Sequence, residues 1–240
     1  VITVVFSLAY LAFYPGLGAF AGQLKWTQEG ELRSDIEDAN KQIEPLYARF
    51  AGMPPEKVAA DTQAMAIGER LFMNNCAQCH GSGAAGVQGK GYPNLLDDDW
   101  LWGGDIENIH LTIAHGIRNE DDADARYSEM PAFGEILEEA EITQVVNYVM
   151  ALSGADADDP AAVSAGEVVF ADNCAACHGD DGLGNRDLGA PNLADAIWLY
   201  GGDVDALLET VTYSRFGVMP PWGERLTEAE IKAVTAYVHQ

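Results

Sequence analysis

The amino-acid sequence predicts an all-α chain: two small helical domains in tandem, behind an N-terminal transmembrane helix. Three observations carry this. A fourteen-residue stretch, Gly68 to Gly81, recurs almost unchanged at Gly166 to Gly179. Landmarks around it keep one register, so that Trp100 and Trp198 stand 98 positions apart, as do Cys76 and Cys174, and apolar residues recur at helical spacing between them. Val1 to Leu24 holds no Asp, Glu, Lys or Arg. A chain of 240 residues has room for two domains of roughly 80 to 100 residues and an extra segment.

The N-terminal run Val1 to Tyr14 is apolar enough to lie in lipid, and Pro15-Gly16-Leu17-Gly18 breaks any helix there. As a helix it spans about 21 Å at 1.5 Å per residue, short of the roughly 20 residues a full crossing needs. Position 1 is not Met, and the chain is expected to begin inside a membrane helix, residues 1–22 being its end. A signal peptide would open with a basic region, which is missing; a buried soluble helix is the other alternative.

Residues 23–54 form a polar connector. A helix is expected from Ser34 to Phe50, with Ile36, Ala39, Ile43, Leu46, Tyr47 and Phe50 on one side, ended by Met53-Pro54-Pro55. The first domain is drawn at 55–153. A helix over Asp61 to Asn75 leads into Cys76, a glycine-rich loop follows, and Ile106, Ile109, Ile113 and Ile117 mark a second helix. Ile142, Val145, Val146, Val149 and Leu152 give the closing helix one apolar face. Residues 154–160 form a linker. The second domain, 161–240, repeats these landmarks, and its last helix opens on a capping box, Thr227 to Glu230.

Each repeat carries Cys-x-x-Cys-His: Cys76, Cys79 and His80, then Cys174, Cys177 and His178. This is the signature of covalent c-type haem attachment. Two thiols add across the two vinyl groups of one haem, and two intervening residues let both sulfurs reach one porphyrin edge. The adjoining histidine then lies under the ring as an iron ligand. One such motif could be chance or half a zinc site; two that use all four cysteines predict two covalently bound haem c groups. No cysteine remains for a disulfide. Attachment of this kind happens on the far side of an energy-coupling membrane, so a periplasm-like compartment is expected.

The sixth iron ligand is expected from a methionine followed by proline just before each closing helix: Met130 beside His80, and Met219 beside His178. A thioether is soft, favours ferrous iron and raises the reduction potential. Six-coordinate iron passes electrons and has no open position for oxygen or peroxide. His110 and His115 are the rival ligands; position 115 aligns with Tyr213 in the second repeat. Met65, Met73 and Met150 fall in helical patterns and read as core, and Met53 lies in the connector. Pro93-Asn94 and Pro191-Asn192 are placed at the haem edges. Trp100 and Trp198 read as packing residues ahead of propionate hydrogen-bond donors, Arg118 and Arg215 as weaker candidates for pairing with propionates, and His239 as solvated.

Met130 and Met219 are 89 positions apart, as are Ile142 and Ile231, so the first repeat holds nine extra residues before its methionine. They include Glu120-Asp121-Asp122-Ala123-Asp124, read as an exposed loop. It lacks the glycine and terminal glutamate of an EF-hand. Across the chain 38 acidic residues face 13 basic ones, a net charge of -25. That argues against nucleic acid, which needs clustered Lys and Arg. It favours a basic partner, whose approach the charge steers, over mere solubility.

Residues 55–240 resemble a tandem of class I cytochrome c domains. The segment Tyr14-Pro15-Gly16-Leu17-Gly18-x-Phe20-x-Gly22 with Trp26-Thr27, the Pro93-Asn94-Leu95 and Trp-Leu-x-Gly-Gly motifs, and His115-Gly116-Ile117-Arg118 narrow it further. They resemble the dihaem subunit (subunit III, CcoP or FixP) of cbb3-type cytochrome c oxidases. The resemblance implies a subunit anchored in the bacterial inner membrane with its haem domains in the periplasm. It implies electrons taken from a cytochrome c donor and passed to a monohaem subunit. From there they reach the haem–copper catalytic subunit, which reduces oxygen and pumps protons. It also implies that Cys76, Cys79, His80 and Met130 serve one haem, and Cys174, Cys177, His178 and Met219 the other. A free-standing dihaem carrier, the cytochrome subunit of a periplasmic dehydrogenase, and a dihaem peroxidase are the competing readings. Two methionine ligands argue against the peroxidase.

Overall fold

The computed structural model describes residues 1–16 and 20–240 and divides the chain into two units, Val1–Arg49 and Phe50–Gln240. In the first unit, α1 (Ile2–Phe13) has no buried residue and ends where Tyr14 turns extended ahead of Pro15. Leu17 and Gly18, the remainder of the expected helix breaker, lie outside the described residues. Gln23 and Leu24 hydrogen-bond back to the carbonyls of Ala12 and Phe13, and Trp26 meets Tyr14 edge-on. With its 12 residues α1 is about 18 Å long, and no helix among the described residues is long and apolar enough to cross a membrane. The connector helix, α2 (Gln28–Ala51), begins earlier than its apolar stripe suggests. The Thr27 hydroxyl accepts from Gly30 N at 2.9 Å, and Glu29 and Glu31 suit the positive end of the helix dipole.

The second unit is helical; its β-type pairing consists of isolated bridges. It holds α3 (Pro55–Ala59), α4 (Thr62–Asn75), α5 (Ala77–His80), α6 (Ile106–His115) and α7 (Glu139–Leu152). The second repeat adds α8 (Val163–Asn173), α9 (Ala175–His178), α10 (Val204–Tyr213) and α11 (Glu228–Val238). Side-chain caps start α4, α6, α10 and α11, at Asp61, Asp105, Asp203 and Thr227.

The packing corrects one expectation. The closing helix of each repeat does not seal its own repeat but the other one. α4 packs against α11, and α8 against α7. Both crossings are set by a glycine. A Cβ on Gly68 would lie 2.2 Å from the Ala233 carbonyl oxygen, and one on Gly166 would lie 2.0 Å from that of Gln144. Two aromatic pairs repeat the pattern: Phe72 meets Tyr237 at 5.5 Å between ring centres, and Phe170 meets Tyr148 at 5.2 Å. Val145, Val146, Val149 and Met150 of α7 form one core with Val169, Phe170 and Leu207. Ile231 and Val234 are equally buried against the first repeat's helices.

The chain therefore crosses over after α6 and returns after α10. On the return, Ile117 and Met219 exchange two backbone hydrogen bonds of 3.0 Å. Trp222 and Gly223 then donate to the carbonyls of Ile113 and Ala114 at the end of α6. On the outward crossing, the Ser214 hydroxyl at the end of α10 donates to the Met130 carbonyl. The contact between repeats is reciprocal: Gly91 lies directly against the Tyr200 ring, and Gly189 against Trp102. The extra residues form the expected loop, closed by hydrogen bonds between Arg118 N and Arg126 O and between Arg126 N and Gly116 O. Met150 is core as expected, whereas Met73 is 47% exposed.

Candidate haem sites

Each attachment motif sits on a single helical turn after a longer helix. In the first, Cys76 N donates to Phe72 O, ending α4, and His80 N donates to Cys76 O, so α5 projects Cys76, Cys79 and His80 together. The second motif repeats these bonds from Cys174 to Phe170 and from His178 to Cys174. None of the four cysteines is paired in a disulfide. Burial, then the neighbouring cysteine, pushes the Cys76 and Cys174 thiols up to about 11, keeping them protonated.

The histidines are oriented by a backbone acceptor. The Pro93 carbonyl lies 3.2 Å from His80 Nδ1, and the Pro191 carbonyl 3.0 Å from His178 Nδ1. A carbonyl only accepts, so Nδ1 carries the proton and the Nε2 lone pair is free for a metal. Burial lowers both histidine pKa values and so favours the neutral form that ligates iron. The sequence places the motif prolines at the haem edge, and the structure adds the role of their carbonyls. The signal was available, since each follows its histidine by 13 positions.

The residues present fit haem c. Two free thiols and one pre-oriented imidazole per motif are the donors that attachment needs. Trp102 Nε1 and Arg126 Nε are shut from solvent and have no hydrogen-bond acceptor among the described residues. The Arg126 guanidinium lies 5.4 Å from the Trp102 ring centre. An anionic group such as a propionate would satisfy both donors.

Comparison with known proteins agrees with the duplicated motif. Residues 65–153 match the cytochrome c family, and residues 161–238 match the family described as cytochrome c oxidase, cbb3-type, subunit III. The cbb3-type cytochrome c oxidase subunit CcoP of Cereibacter sphaeroides is 52% identical over 249 residues, covering 99% of this chain and 84% of that protein. The subunit FixP of Azorhizobium caulinodans is 43% identical, with 99% and 83% covered. The chain belongs to the CcoP/FixP family of cbb3-type oxidase subunits. It is an electron-transfer subunit of the oxidase complex, with two cytochrome c domains of the kind that bind haem c covalently.

In this CcoP/FixP-family subunit the rival ligands are engaged elsewhere. His115 Nδ1 lies 3.0 Å from Asp122 Oδ2 in the extra loop. His110 Nε2 faces Glu228 Oε1 at 3.4 Å, within ion-pair reach but off hydrogen-bond alignment. Met130 and Met219 are half-buried. The arginines named for propionates hold protein groups: Arg215 bonds to Thr210, Glu209 and Ala206 O, and Arg118 to two backbone carbonyls.

Between the repeats lies a cavity of about 890 Å³ whose wall includes Asp97, Asp99, Trp100, Arg186 and Asp195. Burial, then Asp195 and Asp97, raises the Asp99 carboxyl to about 6, with Arg186 opposing. The folded chain thus holds a proton that the unfolded chain releases near its ordinary value of 3.8. Stability falls as pH rises from about 4 to about 6, and the deficit persists above. Asp99 is half-exposed, so screening reduces the effect. Asp99→Asn is expected to gain about 1 kcal/mol near pH 7.5 and nothing near pH 4. Urea unfolding at the two pH values checks this, and an equal change at both would contradict it.

Proposed function

We propose that the chain relays electrons one at a time through two covalently bound haem c groups, toward the oxygen-reducing subunit of a cbb3-type oxidase. We further propose that each haem would be held by residues of both repeats: one iron by His80 with Met219, the other by His178 with Met130. The observation that carries the assignment is the exchange of closing segments between the repeats. The segment bearing Met219 pairs with Ile117 just beyond α6, and α11 after it covers α4 just before the first motif. The segment bearing Met130 is held by Ser214 at the end of α10, and α7 covers α8 just before the second motif. This replaces the pairing within each repeat that the linear order suggests.

When bound, haem c supplies a one-electron change at iron. The chain's part is to hold it. Cys76 with Cys79, and Cys174 with Cys177, fix it covalently. Pro93 and Pro191 set the imidazole orientation. The two thioethers would favour ferrous iron and leave no open position for oxygen or peroxide. The acidic surface suits a basic cytochrome c donor. Val1 to Tyr14 supports an anchor in the bacterial inner membrane with the haem domains in the periplasm, beside the monohaem and catalytic haem–copper subunits.

The test is purification of the tagged chain from detergent-solubilised membranes. Haem b bands beside haem c, with cyanide-sensitive oxygen uptake from reduced basic cytochrome c that weakens as salt rises, are expected. Haem c bands alone, without uptake or further subunits, would leave a free-standing dihaem carrier instead.

A further inference from the structure

We propose that Arg118 is a single positioning residue shared by both methionine ligands, so that the two haem sites are mechanically coupled through one guanidinium. The inference rests on the ligand assignment just made. Arg118 stands where the outward and return crossings pass each other. Its Nε donates to the Ser128 carbonyl at 2.6 Å, and its Nη1 donates to the Gly217 carbonyl at 3.0 Å. Ser128 is two residues before Met130, and Gly217 two residues before Met219. One rigid fork therefore grips both methionine-bearing segments two residues ahead of the methionine.

Three further features hold Arg118 in this position. Its backbone N donates to Arg126 O at 2.8 Å, closing the extra loop. Its guanidinium carbon lies 5.7 Å from the centre of the Phe216 ring, on the return crossing. Its φ of 51° is in the left-handed region, which a side chain adopts only where the surroundings impose it. The repeat symmetry does not supply a second copy. At the 98-residue register, position 118 aligns with Phe216, the residue Arg118 covers. A symmetric pair of clamps would let each haem keep its own ligand strand; one asymmetric clamp makes the strands share a fate. Lysine cannot replace it, because an ammonium on a flexible stem does not hold two carbonyls in fixed directions.

The experiment uses the full haem-loaded chain and follows three readouts. These are the charge-transfer absorption of methionine-ligated ferric haem, the two reduction potentials, and carbon monoxide binding to the ferrous chain. Arg118→Gln is expected to reduce the absorption by at least half, lower both potentials and open both haems to carbon monoxide. Arg118→Lys should change both haems in the same direction by less. Met130→Ala and Met219→Ala serve as references, each removing one haem's share of the absorption. If the methionine variants leave the absorption intact, the ligand assignment has failed, and the proposal with it. If they remove it but Arg118→Gln leaves both haems unchanged or alters only one, the clamp alone is wrong. Should Arg118→Gln not accumulate as folded protein, Arg118→Lys decides: parental behaviour at both haems overturns the proposal.

Discussion

Gly166→Ala is expected to destabilise the chain by about 2–3 kcal/mol, although helix propensity alone predicts a gain of up to about 1 kcal/mol. The two effects compete at one atom. Gly166 lies inside α8, where alanine removes glycine's excess backbone freedom. The added Cβ, however, would sit 2.0 Å from the Gln144 carbonyl oxygen and 2.8 Å from Tyr148 Cβ. Neither is the free end of a flexible side chain, so α8 must move off α7. That separates Phe170 from Tyr148 and opens the core at Val146 and Val169. Overpacking on a backbone costs more than the propensity returns. Guanidinium unfolding followed by far-ultraviolet circular dichroism measures the sum. Gly68→Ala should behave alike, since its Cβ would lie 2.2 Å from Ala233 O. A stabilised Gly166→Ala chain would mean that the α7–α8 contact is not as close as these distances require.

Much of this arrangement is legible in the amino-acid sequence. Cys-x-x-Cys-His has one dominant chemical use, and its duplication with all four cysteines left little else to consider. The helical faces around Ile109 and Val146, and the capping box at Thr227, followed from spacing alone. The exchange of closing helices was not legible, for a physical reason. α7 and α11 present near-equivalent apolar faces, Val145 with Val149 in one and Ile231 with Val234 in the other, and α4 and α8 answer with a glycine at the same register. Periodicity alone assigns neither closing helix to a partner. What selects the partner lies in the crossings: the Ile117–Met219 bonds, the Ser214 bond to Met130, and Arg118 between them. These are single polar contacts between residues about 100 apart, and hydrophobic periodicity carries no trace of them. The early start of α2 was hidden because its first turn is polar and capped, not apolar.

The exchange makes its largest prediction at the iron. In a chain whose second motif is disabled by Cys174→Ser and Cys177→Ser, one haem remains, at His80. Met219→Ala in that chain is expected to abolish the methionine signature and lower the potential by on the order of 0.1–0.3 V, a fraction of the roughly 0.8 V that axial ligands span. Met130→Ala is expected to leave both nearly unchanged. Linear order predicts the opposite, since Met130 is 50 residues from His80 and Met219 is 139 away. Chain distance is the weaker guide here: loop closure grows costly only slowly with length, whereas a ligand strand must stay hydrogen-bonded to the helix beside its haem. Ile117 bonds Met219 in both directions, and the Met130 carbonyl is held at the far repeat by Ser214. Loss of the signature with Met130→Ala alone would restore each haem to its own repeat. Loss with Met219→Ala alone would mean that the first cytochrome domain does not complete its iron site without the second. Reduction of one haem would then be felt, through shared strands, at the second.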